Sequence, residues 1–393
     1  MVTIDLSNIH REGSLISLIR FTILIALSSL YLTGCSLTPS FLESSDPEPI
    51  DNHSTSSIET TEKKPLNLNS RISVSAVGDV LIHERIYQKA RTSDGYNFMP
   101  MLEETKPTLE SSTISIANQE TMIGGKELGL SGYPTFNSPK SIGDNLKSLG
   151  IDVVTLANNH TLDKGITGIE RALDHWNKID MKHTGAYTDK KQSEEILVYE
   201  TKENMDVAVL SYTYGTNGIP SPEGKEYVVN RINYEKMAKD ISEAKKLADA
   251  VIVSLHFGNE YQLYPSPYQK DVVQFAADHE VDAVLGHHPH VLQPIKYVEG
   301  KNGNRMLTIY SLGNFFSGQL GEHKRIGGIF TFDFVKKADS RDVVQAVDPR
   351  FQITYVTSDY QVVPMSDIPV LSEEYKAKKE HMSQWLPELT FIE

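Results

Sequence analysis

Six short β-rich runs in this chain each break off into side chains able to hold a metal ion, a pattern that points to strands sharing one sheet edge. Ile72–Val77 runs into Gly78-Asp79, Thr113–Ala117 into Asn118-Gln119-Glu120, and Val153–Ala157 into Asn158-Asn159-His160. Ala250–Leu255 runs into His256-Phe257-Gly258-Asn259-Glu260, Ala283–Leu285 into Gly286-His287-His288-Pro289-His290, and Met306–Tyr310 into Ser311-Leu312-Gly313-Asn314. Helical patterns separate them: Lys140–Leu149, Gly165–Lys178, Tyr234–Ala248 and Ser266–His279, the last opening near Pro267. Alternating strand and helix predicts an α/β fold with a largely parallel sheet. Such sheets build their sites at the carboxyl ends of the strands, where these clusters fall.

Each cluster alone has a plain reading. Asp79 after a glycine suits a turn, Glu120 a solvated loop, and Asn158-Asn159 a left-handed turn with His160 at the following helix. Unrelated turns do not keep delivering Asp, Glu, Asn, His and His-x-His at successive strand ends. In an extended segment His288 and His290 alternate onto one side, stiffened by Pro289, which predicts two imidazoles aimed at one point. The single cysteine, Cys35, excludes an intrachain disulfide and a cysteine-based metal site, leaving the 13 histidines as the nitrogen donors.

Composition narrows the partners. Apolar residues at 39% of 393 can fill a substantial core. A formal net charge of −14 argues against a nucleic-acid backbone or an anionic membrane face as the main partner. No Gly-x-Ser-x-Gly elbow, Walker-type phosphate loop or His-Glu-x-x-His occurs.

The N-terminal region reads as targeting. Phe21–Leu32 is uncharged and mostly apolar, follows Arg11 and Arg20, and is too short to span a bilayer. It ends in Leu32-Thr33-Gly34-Cys35, which resembles the bacterial lipoprotein box; a cleaved secretory signal or an uncleaved anchor is the alternative. The expected organisation is a signal peptide over 1–34, a lipidated Cys35 with a Ser/Thr/Pro-rich disordered tether over 35–70, and a folded body over 71–393. That arrangement places the body outside the cytoplasm, attached to the cell membrane by a lipid anchor. The C-terminal part reads as strand (FQITYV) and a last charged helix over Ser372–Trp385, packed against the sheet.

A set of oxygen and nitrogen donors without thiolate suits a pair of divalent cations, Mn, Fe or Zn, bridged by a carboxylate. The motifs from Gly78-Asp79 through Asn118-Gln119-Glu120, Phe136-Asn137-Ser138-Pro139 and Leu156-Ala157-Asn158-Asn159-His160 resemble the CapA family of poly-γ-glutamate capsule biosynthesis proteins. The resemblance continues through Ser254–Glu260, Gly286–His290 and Tyr310–Phe315, covering roughly Ser73 to Phe334. It implies the calcineurin-like metallophosphoesterase fold, a four-layer α/β/β/α sandwich with mixed sheets. It also implies roles: Asp79 on the first metal, Glu120 bridging, Asn159 on the second, and His256, His288 and His290 completing the shells. His160 would be the general acid, and Asn118, Asp163, Glu260 and Asn314 would be supporting groups or substrate contacts.

The chain departs from the superfamily pattern at Leu81, where an Asp-x-His histidine is usual. His83 either replaces it or is a helix-start surface residue. A glutamate at 120 stands where aspartate is usual, and Phe257 where tryptophan is common. The resemblance implies either a membrane-anchored metallohydrolase acting on a phosphate ester or related linkage, or a non-catalytic, metal-dependent component that binds or exports polymer. Its partners would be poly-γ-glutamate or a phosphorylated envelope substrate, together with membrane polyglutamate synthase subunits.

Overall fold

The computed structural model describes residues 69–337 and 343–393; the apolar segment, Cys35 and the tether as far as residue 68 lie outside the described residues. The chain opens with β1 (Asn69–Leu81), α1 (Glu84–Lys89), α2 (Met99–Leu102), α3 (Lys106–Glu110) and β2 (Ile114–Gln119). It continues through α4 (Ser141–Leu149), β3 (Val153–Thr155), α5 (Gly165–Lys178), β4 (Lys182–Thr184), β5 (Leu197–Tyr199) and β6 (Val207–Thr213). Next come α6 (Tyr234–Leu247), β7 (Ala250–His256), α7 (Pro267–Asp278), β8 (Ala283–His287), β9 (Leu292–Glu299) and β10 (Arg305–Leu312). The chain closes with β11 (Asn314–Ser317), β12 (Ile326–Lys337), β13 (Val344–Val356), β14 (Val362–Pro364), α8 (Ser372–Ser383) and β15 (Thr390–Phe391). β1 takes in Asn69 and the buried Ser70, so the ladder starts ahead of residue 71.

The largely parallel expectation holds for the centre of each sheet, including the strands that carry ligands. One sheet has the order β14-β13-β12-β1-β2-β3-β4, with β11 beside β1 and β15 beside β13. Within it β1 to β4 and the β1–β11 pair are parallel, while β1–β12, β12–β13 and β13–β14 are antiparallel. The other sheet has the order β5-β6-β7-β8-β10-β9; β6, β7, β8 and β10 are parallel and both edges antiparallel. Mixed α/β sheets thus replace the single parallel one.

Alternation of side chains sorts the strands into four layers. Val74, Ala76, Ile114, Ile116 and Phe330, Phe332, Phe334 of the first sheet pack against Val207, Val209, Ile252, Leu285 and Ile309 of the second. On the far side of the first sheet Val77, Val80, Ala117 and Val154 meet Leu146, Ile169, Leu173 and Trp176 of α4 and α5. The intervening residues of the second sheet, Ala208, Leu210, Val251 and Val253, meet Met237 and Ile241 of α6 and Val272 and Ala276 of α7. Because both faces of the central strands are covered, these strands read as continuous apolar runs. The helices are bounded locally: α7 by a capping box between Ser266 and Gln269 with Pro267 in its first turn, α6 by Asn233, whose side chain accepts from Lys236 N. Among the described residues no helix is long and apolar enough to cross a membrane.

The first ligand depends on a defect in β1. The register with β2 slips between Val77 and Asp79, a bulge that leaves Gly78 without a partner and sets Asp79 opposite Asn118 of β2 and Asn314 of β11. A Cβ on Gly78 would stand 2.1 Å from the Gly313 carbonyl oxygen, which instead accepts from Asp79 N at 2.9 Å. Gly78→Ala is therefore expected to lower stability by about 1–3 kcal/mol through overpacking. A urea midpoint equal to that of the wild type would show that β1 and the Gly313 turn do not approach this closely.

Candidate metal centre

The carboxyl ends of the parallel strands in both sheets deliver their side chains to one buried place. Asp79 leaves β1, Glu120 follows β2, Asn159 and His160 follow β3, His256 ends β7, and His287 ends β8 with His288 and His290 just beyond. Asn314 arrives from β11, which pairs with Asp79 across the sheet. Two groups of donor atoms, each mutually within 4.8 Å, share one member: Asp79, Glu120 and His290 form the first, Glu120, His256 and His288 the second. A carboxylate common to two ligand groups is the geometry that a bridged pair of cations requires.

The His-Pro-His expectation needs a correction. Beyond β8 the segment is not extended: φ is +94° at His288 and +57° at His290. The two imidazoles converge because the chain turns through the left-handed region, not because strand alternation aligns them. Bulky residues avoid this region, and holding each there costs on the order of 1–3 kcal/mol. The Pro289 carbonyl in this turn accepts from Tyr261 N at 2.8 Å, and just before it β8 and β10 approach so closely that a Cβ on Gly286 would lie 2.0 Å from the Tyr310 carbonyl oxygen.

Supporting groups fix the ligands. Asn118 Nδ2 donates to Asp79 Oδ1 at 2.8 Å and stands 3.4 Å from His256 Nδ1. His290 donates from Nδ1 toward Asp79 Oδ2 at 3.0 Å and Asn314 Oδ1 at 3.1 Å, while its Nε2 lies 3.8 Å from Glu120 Oε1. Asn314 is itself held by donation to the Lys324 carbonyl at 2.8 Å. Asn158 closes a turn by accepting from His160 N at 3.0 Å, which leaves Asn159 Oδ1 facing His256 Nε2 at 3.0 Å. His160 donates from Nδ1 to Asp163 Oδ2 at 2.7 Å, and that oxygen also accepts from Phe136 N at 2.7 Å. Asp163 thus orients the imidazole rather than capping α5.

Glu120 is the outlier. It is fully buried, yet neither carboxylate oxygen has a hydrogen-bond partner. His256 Nε2 approaches Oε1 only to 3.6 Å. An unpaired buried charge costs several kcal/mol, and a cation relieves it. The donor set therefore fits divalent ions: the orphaned carboxylate lies among imidazoles, of which His288 is likewise without a partner at Nδ1.

Electrostatics point the same way. Burial alone would raise Asp79, but His287 and His290 outweigh it and hold its carboxyl well below the usual range. Glu120 moves oppositely: burial pushes it well above the ordinary carboxylate range despite the pull of His290, with Asp79 adding to the rise. Burial lowers His290 too, yet Glu120 and Asp79 bring it up to about 9. Burial, then the charge of His288, keeps His256 well below its ordinary value, and burial takes His288 down to about 3. Neutral imidazole is the form that ligates.

Other expected residues fall around this core. His83 joins none of the ligand groups: it precedes α1, its Nδ1 sits 3.0 Å from the Leu81 carbonyl and 3.3 Å from Gly318 N, and burial lowers it to about 4. Its ring packs edge-on against Phe136, which packs edge-on against His160. Glu260 is exposed and reaches His288 and His290. Sequence reasoning assigned no role to His287, whose Nδ1 lies 3.4 Å from Asp79 Oδ1, or to Tyr214, whose ring centre lies 4.7 Å from that of His288. Tyr214 directly follows β6, so the carboxyl-end rule would have flagged it had that strand been read. Asn217, bonded to Asn159 at 3.3 Å, offered no signal.

Comparison with known proteins gives a consistent result. The profile of the family described as bacterial capsule synthesis protein PGA_cap matches residues 73–319. The PGA biosynthesis protein CapA of Bacillus subtilis (strain 168) is 26% identical over 292 residues, covering 70% of this chain and 71% of the relative. The capsule biosynthesis protein CapA of Bacillus anthracis is 34% identical over 177 residues, covering 43% of this chain and 41% of that one. A solved structure, TT1561 of Thermus thermophilus, aligns with 9% identity and a TM-score of 0.36 over 70% of this chain and 98% of its own.

The raised Glu120 carboxyl sets a pH dependence for the metal-free protein. The folded state binds this proton more tightly than the unfolded state, so ionising it subtracts stability as pH rises above the ordinary carboxylate value of 4.5. Glu120→Gln, which keeps the shape without the charge, is expected to raise the metal-free urea midpoint at pH 7.5, and to do so less at pH 5. With Mn, Fe or Zn in excess the order should reverse, because only the wild type gains binding energy. Equal midpoints at pH 7.5 without metal would mean that Glu120 already has a partner.

Proposed function

The chain belongs to the bacterial capsule synthesis protein PGA_cap family, and from that premise we propose that it is a metal-dependent hydrolase of the cell envelope serving poly-γ-glutamate synthesis or export. Its reaction on this reading is hydrolysis of a phosphate ester or a related linkage. The observation that carries it is the orphaned, fully buried Glu120 carboxylate shared by two ligand groups.

Two divalent cations in those groups would supply Lewis acidity toward phosphate oxygens and a water acidified to a nucleophile near neutral pH. Asp79 and His290 would hold one, His256, His288 and Asn159 the other, with Glu120 between them. The chain's own part is positioning and proton transfer. His160 is fixed at Nδ1 by Asp163, so as an imidazolium it would give its Nε2 proton to the departing oxygen and return to the neutral ring protonated at Nδ1. Asp163 keeps that tautomer and stabilises the ring when charged. Tyr214 and Phe136 wall the centre beside His288 and His160.

The polymer-handling alternative is favoured by one feature. Among the described residues Arg85, beside His83, and Lys324, 3.6 Å over the Tyr261 ring, make no ion pair with a carboxylate. Two unpaired cations at the rim of an acidic protein would draw an anionic chain to it. Attachment outside the cytoplasmic membrane through a lipid on Cys35 belongs to the same proposal, as do polyglutamate synthase subunits as partners.

His160→Gln separates the two readings. Removing a general acid should lower turnover about 10²–10⁴-fold for an alkyl phosphate ester, whose leaving oxygen needs the proton. p-Nitrophenyl phosphate, with its good leaving group, should suffer far less. Metal content should match the wild type. A metal-loaded wild type inactive on both esters, yet retaining polyglutamate, would replace the hydrolase by the binding component.

A further inference from the structure

The two ligand groups are unequally furnished. The position between Glu120, His256 and His288 has the Asn159 amide oxygen as a fourth donor, 3.0 Å from His256 Nε2. The position between Asp79, Glu120 and His290 has only those three. Of its other neighbours, Asn118 and Asn314 are engaged with Asp79 and with the Lys324 carbonyl, and His287, 3.4 Å from Asp79 Oδ1, joins none of the ligand groups. Leu81 is a buried apolar side chain, and His83 lies outside the ligand groups.

Glu260 reaches both positions, His290 of the three-donor one and His288 of the other. A carboxylate oxygen of Glu260 and ring nitrogens of His288 and His290 lie mutually within 4.8 Å. The turn that carries it is built for this placement. Gly258 has φ +104°, and a Cβ there would press on the Gln269 side chain at 2.5 Å. Tyr261, at φ +65°, donates from its backbone N to the Pro289 carbonyl at 2.8 Å. The turn bearing Glu260 is therefore stitched to the residue between the two histidines. Glu260 is exposed and had room to point into solvent. It instead lies close enough to Glu120 for the two charges to repel, a placement that costs energy unless a cation sits between them.

We propose that Glu260 is the fourth protein ligand of the cation held by Asp79, Glu120 and His290, approaching from the solvent side; this rests on the two-cation reading above. Three carboxylates then face two divalent ions, −3 against +4, and the buried charges are balanced with one positive charge left for an anionic oxygen. As the one exposed ligand, Glu260 is also the donor that an incoming oxygen displaces most easily.

The test is Mn²⁺ titration of the full-length protein and its Glu260→Gln variant by calorimetry, with electron paramagnetic resonance on the loaded samples. The wild type should bind two ions with a spin-coupled spectrum. In the variant one ion should bind as before, the other at least about tenfold more weakly, with the coupled signal lost at equal added metal. Glu260→Asp should recover part of the affinity, and circular dichroism melts should show both variants folded. Two tightly bound, coupled ions in Glu260→Gln would overturn the assignment alone. A wild type that binds no ion pair would overturn the two-cation reading and this assignment with it.

Discussion

A carboxylate buried without a donor on either oxygen must take up a proton or find a positive partner, and Glu120 imposes that demand at the meeting point of both sheets. Nothing in the surrounding protein meets it. Asn118 gives its hydrogen bond to Asp79, His290 turns its Nδ1 to Asp79 and Asn314, and the backbone N of His288 faces Asp79 at 3.3 Å. The donors around Asp79 satisfy one acid fully and leave the other bare. This asymmetry suits the site to cations and sets it apart from a self-contained polar network. Stability and ion binding are thereby the same free energy, in that whatever fills the centre also removes a penalty from the fold.

The sandwich makes such a centre possible by holding two sheets face to face around one apolar layer, so that ligands from β1, β2 and β3 meet ligands from β7 and β8. Neither sheet supplies a complete set. The first brings oxygen donors, Asp79, Glu120 and Asn159, and the second brings imidazoles, His256, His288 and His290. A buried hydrogen bond between Ser254 and Thr155, 3.2 Å apart, ties β7 to β3 just below this meeting point. The departures from regular geometry collect here too: the bulge at Gly78 and the left-handed residues Tyr261, His288 and His290. Packed strands beneath them over-determine conformations that isolated segments would not hold.

Much of this was legible in the sequence because the ligands sit where strands stop, and strand ends are marked by the switch from apolar to polar residues. α5 falls on Gly165–Lys178 as its pattern predicted, and α4, α6 and α7 lie within a residue or two. The unread strands carry no such marker. β9, β12 and β6 end in ordinary loops or turns, although Phe330, Phe332 and Phe334 already alternate as a half-buried strand does. Local geometry was illegible where it depends on φ: His288-Pro289-His290 reads as extended, yet His288 and His290 are left-handed. The choice among adjacent histidines was hidden for the same reason. His287, still on β8 and level with His256 across the ladder, faces Asp79, whereas His288 and His290 swing past it.

Charge decides how such a centre can be reached. The chain carries a formal net charge of −14, and its field repels anions over most of its surface. Locally the balance reverses only if ions occupy the centre. Asp79, Glu120 and Glu260 without them add to the repulsion, and with two divalent ions they leave a net positive spot walled by Tyr214, Phe136 and Tyr261. Lys324 against Tyr261 and Arg85 beside His83 flank that spot with cations that make no carboxylate ion pair among the described residues. With ions bound, an anionic ligand would meet attraction there beyond what Arg85 and Lys324 supply. Burial, an unpartnered carboxylate and left-handed turn residues thus meet at one place, where Asp79, Glu120 and Glu260 face the histidines of an otherwise conventionally packed sandwich.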